Sequence, residues 1–432
     1  MAHRESELCP ATVLHWNYRG FREFPLDRLR GEEREVTDIY LKENHITKLP
    51  IDIGRLERLE SLYLSGNHIR ELPRELGLLS RLKCLDLSGN GLRRLPAEIG
   101  DVRGLKFLML DENELHELPL RIAELKMLRY LSVCDNRLQW LPQRPVYNYH
   151  HCEFRFWRNK ELRALPYSLW YHMLRDQQTR SLNIGCLGIP KTKTLCRNTC
   201  HLKLHDGSTT EIDMPSKYRH VGNPHANSPP TLAEMCKRLI YETLCETAKA
   251  LSDQQYSIHA DQYFNAHNNS EDEHAYYEHR SDENGNTLTD SREDSNIITH
   301  PRGGNGNIAN GQSVVTFKLQ PTAHRTAKDR SRRKTVCRRQ YTVTDLARRH
   351  FDFLPTDLLK SLCDGPISRC ENIICNRPIF DCVTFQFCLG EILLIDRTEE
   401  AILSAAFCSK ACAKSWSKGR RNLIPWTLGM KS

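Results

Sequence analysis

The chain has 432 residues, 39% of them hydrophobic and 27% charged, with a formal net charge of +8. That length suits two or three domains with a sizeable core, and so modest a positive excess does not by itself make a nucleic-acid binder. The opening MAHRESELCP lacks the apolar run of a secretory signal, and no uninterrupted apolar stretch is long enough for a membrane span.

In chain order, residues 1–35 read as an N-terminal cap with a degenerate first repeat, VLHWNYRGFREFPLDRL (13–29). From there asparagine recurs at Asn44, Asn67, Asn90, Asn113, Asn136 and Asn159, always 23 residues on. Pro50, Pro73, Pro96, Pro119 and Pro142 keep the same step, and Pro166 comes one residue late. The unit LESLYLSGNHIRELPRELGLLSR (59–81) is repeated over 82–104 and 105–127, and 151–170 is a divergent last copy. This period predicts an α/β fold, a solenoid of short leucine-rich repeats over 36–172. In each unit the L-x-L segment is a short strand whose leucines point inward. The asparagine side chain serves backbone groups where the strand bends away. No unit can bury its apolar side alone, so the array folds by stacking.

Such an array binds rather than catalyses. The residues between the leucines point out of the concave face, from Asp38, Tyr40 and Lys42 to Glu153, Arg155 and Trp157. Among them Tyr63, Phe107, Met109, Tyr130 and Trp157 would form an apolar, aromatic strip. With Asp86, Asp111 and Ser132 beside it, this strip is the candidate site for a protein substrate, since aromatics anchor interfaces.

The period is lost over 173–228, which reads as a small β-rich insert. It holds CRNTC (196–200), with Cys186 before and His201 after. That pair spacing would suit zinc, but no second well-formed pair lies near, and ordinary thiols at Cys186, Cys196 and Cys200 are the simpler reading. A helix is expected over 229–251. Thr231 and Glu234 form a capping-box pattern after two prolines, and Leu232, Met235, Cys236, Leu239, Ile240 and Leu244 share one face. That face either closes a core or docks on another protein.

From 252 to 340 the chain turns polar, then Gly/Asn-rich, and reads as a disordered linker. It ends in the basic run HRTAKDRSRRKTVCRR (324–339), read as a solvated linker end rather than as an import signal or nucleic-acid contact. Order returns at 341–420, followed by a tail, 421–432. FLPTDLLKSLC (353–363) is a turn entering a short helix that starts at Pro355 and carries Leu358, Leu359 and Leu362 on one side. Then Cys370 and Cys375 form one close pair and Cys408 and Cys412 another, with a strand-like region between. Two thiolate pairs brought together by a hairpin are the layout of a closed structural zinc site, one ion per chain. The chain has 17 cysteines and no export signal, so the remaining thiols are expected to be free, in the cytoplasm or nucleus.

The order of these features resembles a small family of leucine-rich repeat-containing proteins that includes an adaptor used by a cullin ubiquitin ligase. The likeness lies in VLHWNYRGFREFPLDRL, the PPTLAEM helix, FLPTDLLKSL, the C-x4-C pair and FCSKAC. The long insert is a departure from it. The resemblance implies that the first helix is an elongin-binding box, with Leu232 as anchor, Cys236 small enough for close approach, and Leu239 and Ile240 extending the face. It implies that Leu354, Pro355, Leu358 and Leu359 form a cullin-selecting box, although Thr356-Asp357 stands where its strongest form has a second proline. The implied partners are elongin B and C, a cullin and a substrate protein, with no membrane and no nucleic acid. A leucine-rich repeat scaffold without a ligase is the alternative. No glycine-rich nucleotide loop or nucleophile constellation is present in the sequence, so no catalysis by the chain itself is expected.

Overall fold

The computed structural model describes residues 12–29, 31–142, 152–175, 199–222, 230–268, 341–395 and 397–429, with side chains in 230–268 only as far as residue 252. Cys186, Cys196, the basic run 324–339 and most of the expected linker lie outside the described residues.

Seven short strands make one parallel sheet in chain order: β1 (Thr12–His15), β2 (Val36–Tyr40), β3 (Ser61–Tyr63), β4 (Cys84–Asp86), β5 (Phe107–Met109), β6 (Tyr130–Ser132) and β7 (Glu153–Arg155). Leu62 pairs with Leu85, Leu85 with Leu108 and Leu108 with Leu131, so the sequence period is the register of the sheet. These leucines are fully buried. The Asn67 amide donates to the carbonyls of Leu41 and Leu64 at 2.9 and 3.0 Å, while its oxygen accepts the Ile46 N–H at 3.1 Å. Asn90, Asn113, Asn136 and Asn159 repeat the arrangement. One side chain thus satisfies three backbone groups that would otherwise be buried without partners.

On the other side, Pro50, Pro73, Pro96 and Pro119 each lead into a single 3-10 turn. A Cβ on Gly77 would lie 2.7 Å from the Glu98 carbonyl oxygen, and one on Gly100 would lie 2.5 Å from that of Arg121. Glycine at this point of the unit is therefore a stacking requirement.

Past the solenoid come β8 (Leu165–Pro166) and α1 (Tyr167–Leu169), which widens into a π-turn ending at Leu174. Then follow β9 (Thr199–Lys203), β10 (Thr209–Asp213), β11 (His220–Gly222) and the long helix α2 (Leu232–Asn268). After the undescribed stretch come α3 (Val343–His350), α4 (Thr356–Asp364), β12 (Ser368–Arg369), β13 (Pro378–Ile379), β14 (Cys382–Leu393), β15 (Thr398–Phe407), α5 (Lys410–Ser417), β16 (Leu423–Ile424) and β17 (Trp426–Gly429). β14 and β15 form a long antiparallel hairpin. β11 adds parallel to β14, and β8 adds parallel to β15, joining the last repeat to the C-terminal sheet. Phe385, Phe387, Ile402 and Phe407 fill its core.

Three expected boundaries change. The insert is not separate: β9 pairs with β17 and β11 with β14, so residues 199–222 and the expected tail are strands of the cysteine module. The long helix does not stop at 251 but continues to Asn268. Helix α3 was not anticipated, although Thr342 and Asp345 form a true capping box at its start. Helices α2, α3 and α4 bury Leu244, Ala248, Leu346, Ala347, Leu362 and Phe380 together. Arg103 of the solenoid binds Asp345 at 2.5 Å, and Glu117 binds Lys217 at 3.0 Å, so repeats and module form one body.

Candidate docking surfaces and candidate metal centre

The first two turns of α2 are packed with their charges inward. The Glu234 carboxylate is completely buried and accepts the backbone N–H of Phe380 at 3.0 Å and of Asp381 at 2.6 Å. It also accepts from Arg238 Nε at 2.7 Å. Arg238 in turn donates to the carbonyls of Cys382 at 3.0 Å and Cys408 at 3.1 Å, and Lys237 pairs with Asp381 at 2.5 Å. Buried charge of this kind persists only when fully paired. Its consequence is that the apolar side of the same turns faces out. Leu232 is 73% exposed, Leu239 67%, and Met235 and Cys236 are exposed between them.

The expected single apolar face therefore divides. Leu244 enters the three-helix core and Ile240 packs half-buried against it, whereas Leu232, Met235, Cys236 and Leu239 stand free. The expected capping box is also only half present. Thr231 Oγ1 accepts the Glu234 N–H at 3.2 Å, but the Glu234 carboxylate serves the β-region instead. The four free residues have the spacing of a helix that docks in a groove.

Leu354, Leu358 and Leu359 are half-buried against the three-helix core, Pro355 is exposed at the N-cap of α4, and Leu362 is fully buried. The neighbouring Phe353 is 74% exposed.

Cys370, Cys375, Cys408 and Cys412 come together, with their four sulfurs all within 4.8 Å of one another. Cys370 and Cys375 bound the turn between β12 and β13, where the Cys375 N–H returns to the Asn372 carbonyl and Asn376 takes a positive φ of 47°. Cys408 directly follows β15, and Cys412 lies in the first turn of α5, whose N-cap Ser409 accepts its N–H at 3.3 Å. The Cys375–Cys408 and Cys408–Cys412 sulfurs are 3.4 and 3.8 Å apart. A metal held tetrahedrally by four thiolates at ~2.3 Å requires edges of about 3.8 Å, so the donor set fits. The neighbouring thiol of Cys370 pulls the Cys408 thiol down to about 5, whereas Cys370 itself is driven up by Cys408 and burial lifts Cys375 to about 11. Cys370 and Cys375 must therefore lose protons when metal binds.

Cys200 is no ligand in this arrangement. It is fully buried, and burial pushes its thiol up to about 12, while the adjacent His201 faces the other way and pairs with Glu211 at 3.3 Å. Cys382 and Cys388 lie within β14, as their strand-like surroundings suggested.

The concave sheet differs from a continuous aromatic strip. Phe107 is exposed beside half-buried Tyr130 in one row, but Asp86 separates Tyr63 from Met109 in the next. Tyr63 instead belongs to a ladder, with His15, Tyr40 and Tyr63 stacked at centroid distances of 4.8 and 4.7 Å. Trp157 rests on Phe156. Asp86 and Ser132, expected at the surface, are buried: Asp86 pairs with Lys42 at 3.4 Å, and Ser132 Oγ donates to Asp111 at 2.5 Å. Both contacts run sideways to another repeat.

A family model described as leucine rich repeat matches residues 34–92. Among solved structures the chain is similar to a leucine-rich repeat protein of Leptospira interrogans, with 33% identity over 33% of this chain and 36% of that one and a TM-score of 0.29. It is also similar to an internalin of Listeria monocytogenes, with 25% identity over 24% and 29% of the two chains and a TM-score of 0.22. A third is the leucine-rich repeat ectodomain of the receptor kinase SOBIR1 from Arabidopsis thaliana, with 23% identity over 29% and 71% and a TM-score of 0.27. The chain thus spans little more than a third of the first of these and less of the second. No curated protein matches it significantly. Residues 34–92 are leucine-rich repeats in both sequence and structure.

Proposed function

We propose that this leucine-rich repeat protein is a non-catalytic adaptor that joins a protein client to an elongin–cullin ubiquitin ligase. The client sits on the concave face around Phe107, Met109 and Tyr130. Helix α2 offers Leu232, Met235, Cys236 and Leu239 to elongin C of an elongin B–C pair, and Leu354, Pro355, Leu358 and Leu359 at the start of α4 meet a cullin. A structural zinc ion at Cys370, Cys375, Cys408 and Cys412 fixes the module that carries both. None of the described cysteines forms a disulfide, which suits a reducing compartment such as cytoplasm or nucleus.

The observation that carries this reading is the inverted packing of α2. A helix that merely closed a core would bury Leu232 and Leu239 and expose Glu234 and Arg238. The reverse holds here, and buried charges have been used to keep an apolar stripe outside. Large apolar residues left exposed together mark an interaction site.

The test is affinity purification of the full chain from cells, followed by mass spectrometry. Elongin B, elongin C and one cullin should be recovered with the wild type and lost with Leu232→Ala/Cys236→Phe. Recovery unchanged in that variant, or no elongin with the wild type, sinks the ligase reading and leaves a scaffold.

A further inference from the structure

We propose that the edge of the solenoid between its strands and its 3-10 turns is a second binding groove. It would take an extended segment of a partner protein rich in anionic side chains. Two clefts meet along this edge, sharing Arg94 and Leu95 as a common wall. One, of about 660 Å³, runs over the early repeats between Lys48, Arg70 and Arg93, with Leu72, Leu95 and Pro96 beneath. The other, of about 490 Å³, continues between the repeats and α4, where Arg219 and Lys360 line it beside Asp357 and Asp364, so the cationic excess lies in the first cleft.

The charge in this groove is only partly spent. Arg93 is neutralised by Glu114 at 3.0 Å, Lys217 by Glu117 at 3.0 Å, and Arg121 by Asp101 and Glu124. Lys48, Arg70, Arg94 and Arg219 have no hydrogen bond or ion pair with another described residue. Glu71 is the sole acid lining the first cleft. Lys48, Arg70 and Arg94 come from three successive units but not from one column: Arg70 lies one place earlier in its unit, and Glu71 holds the position between Lys48 and Arg94. Lys48 and Arg94 are two units apart, which puts their backbones about 10 Å from each other. An extended peptide advances ~3.3 Å per residue, so one lying along the solenoid axis would meet a cation every one to three residues.

The lining favours peptide over nucleic acid. Base binding relies on aromatic platforms, and the one aromatic in either cleft, Phe380, is buried. The apolar floor of Leu72, Leu95 and Pro96 suits the stems of side chains. The groove involves neither the outer face of α2 nor the concave sheet, so its failure would leave the elongin contact standing; only its second cleft shares α4 with the proposed cullin contact.

Fluorescence anisotropy on the full chain tests it, with labelled eight-residue peptides. One probe alternates glutamate and serine, a second carries phosphoserine at the serines, and a third is the neutral glutamine version. An oligothymidylate of equal charge is the fourth. Both anionic peptides should bind, more weakly as salt rises, and the neutral one should not. Arg70→Glu/Arg94→Glu should weaken binding at least tenfold, while Arg81→Glu, an exposed charge reversal elsewhere, leaves it unchanged. Neither variant should alter the melting curve. The tighter of the two peptides identifies carboxylate or phosphate as the natural anion. Absence of binding, equal loss with Arg81→Glu, or tighter binding of the oligothymidylate than of either peptide overturns the proposal.

Discussion

Replacing Glu234 by alanine probes the inverted helix at its root. The carboxylate holds the Phe380 and Asp381 N–H groups and Arg238 Nε at 2.6 to 3.0 Å, with no solvent exposure. Alanine leaves those N–H groups unsatisfied and leaves a buried guanidinium facing only the carbonyls of Cys382 and Cys408. Removing one partner of a buried pair costs about 3–5 kcal/mol, against ~1 kcal/mol or less for an exposed pair. Glu234→Gln keeps an acceptor of the same shape and should cost about 1–3 kcal/mol. Urea unfolding of the full chain, followed through tryptophan fluorescence with Trp416 and Trp426 in this module, gives the midpoint shift at constant slope. The reasoning is refuted if Glu234→Ala unfolds no earlier than the exposed control Glu246→Ala.

Four further outcomes follow. Leu244→Ala should cost about 2–5 kcal/mol, as core truncations do, while Leu239→Ala, five residues earlier on the same helix, should change stability by less than about 0.5 kcal/mol; paired denaturation curves decide. Asn67→Ala should cost about 2–4 kcal/mol, because it strands backbone groups of two repeats at once, and thermal melts read the loss. The wild type should carry one zinc per chain by elemental analysis and lose it in Cys408→Ser/Cys412→Ser, with Cys200→Ser unaffected. Cys370 and Cys375 are held protonated above the ordinary thiol range and must lose protons to bind. Zinc affinity should therefore rise from pH 6.5 to 8, as competition with a chromophoric chelator would show; a flat profile contradicts the four-thiolate site.

The solenoid was legible because its constraint is local and repeated: a 23-residue period of asparagine and proline fixes strand, turn and register together. The four cysteines were legible for a similar reason, since two close pairs need only a hairpin between them to meet. What the sequence hid depends on contacts far along the chain. Glu234 looked like a capping residue, because nothing near it in sequence reveals the Phe380–Cys382 backbone it serves. The pairing of β9 with β17 joins residues more than two hundred positions apart, and no local pattern announces it. Helix α3 did carry a usable signal, the Thr342–Asp345 capping box ahead of Leu346 and Ala347. Asp86 and Ser132 alternate correctly for an outward face. Their burial goes with partners in other repeats, Lys42 for Asp86 and Asp111 for Ser132, which the pattern of one unit does not show.

The most direct measurement of the central claim is calorimetric titration of the purified full chain with purified elongin B–C, beside Leu232→Ala/Cys236→Phe of matched melting temperature. The account predicts saturable one-to-one binding by the wild type and its loss in the variant. Absence of binding by the wild type, or equal affinity in the two, would contradict it.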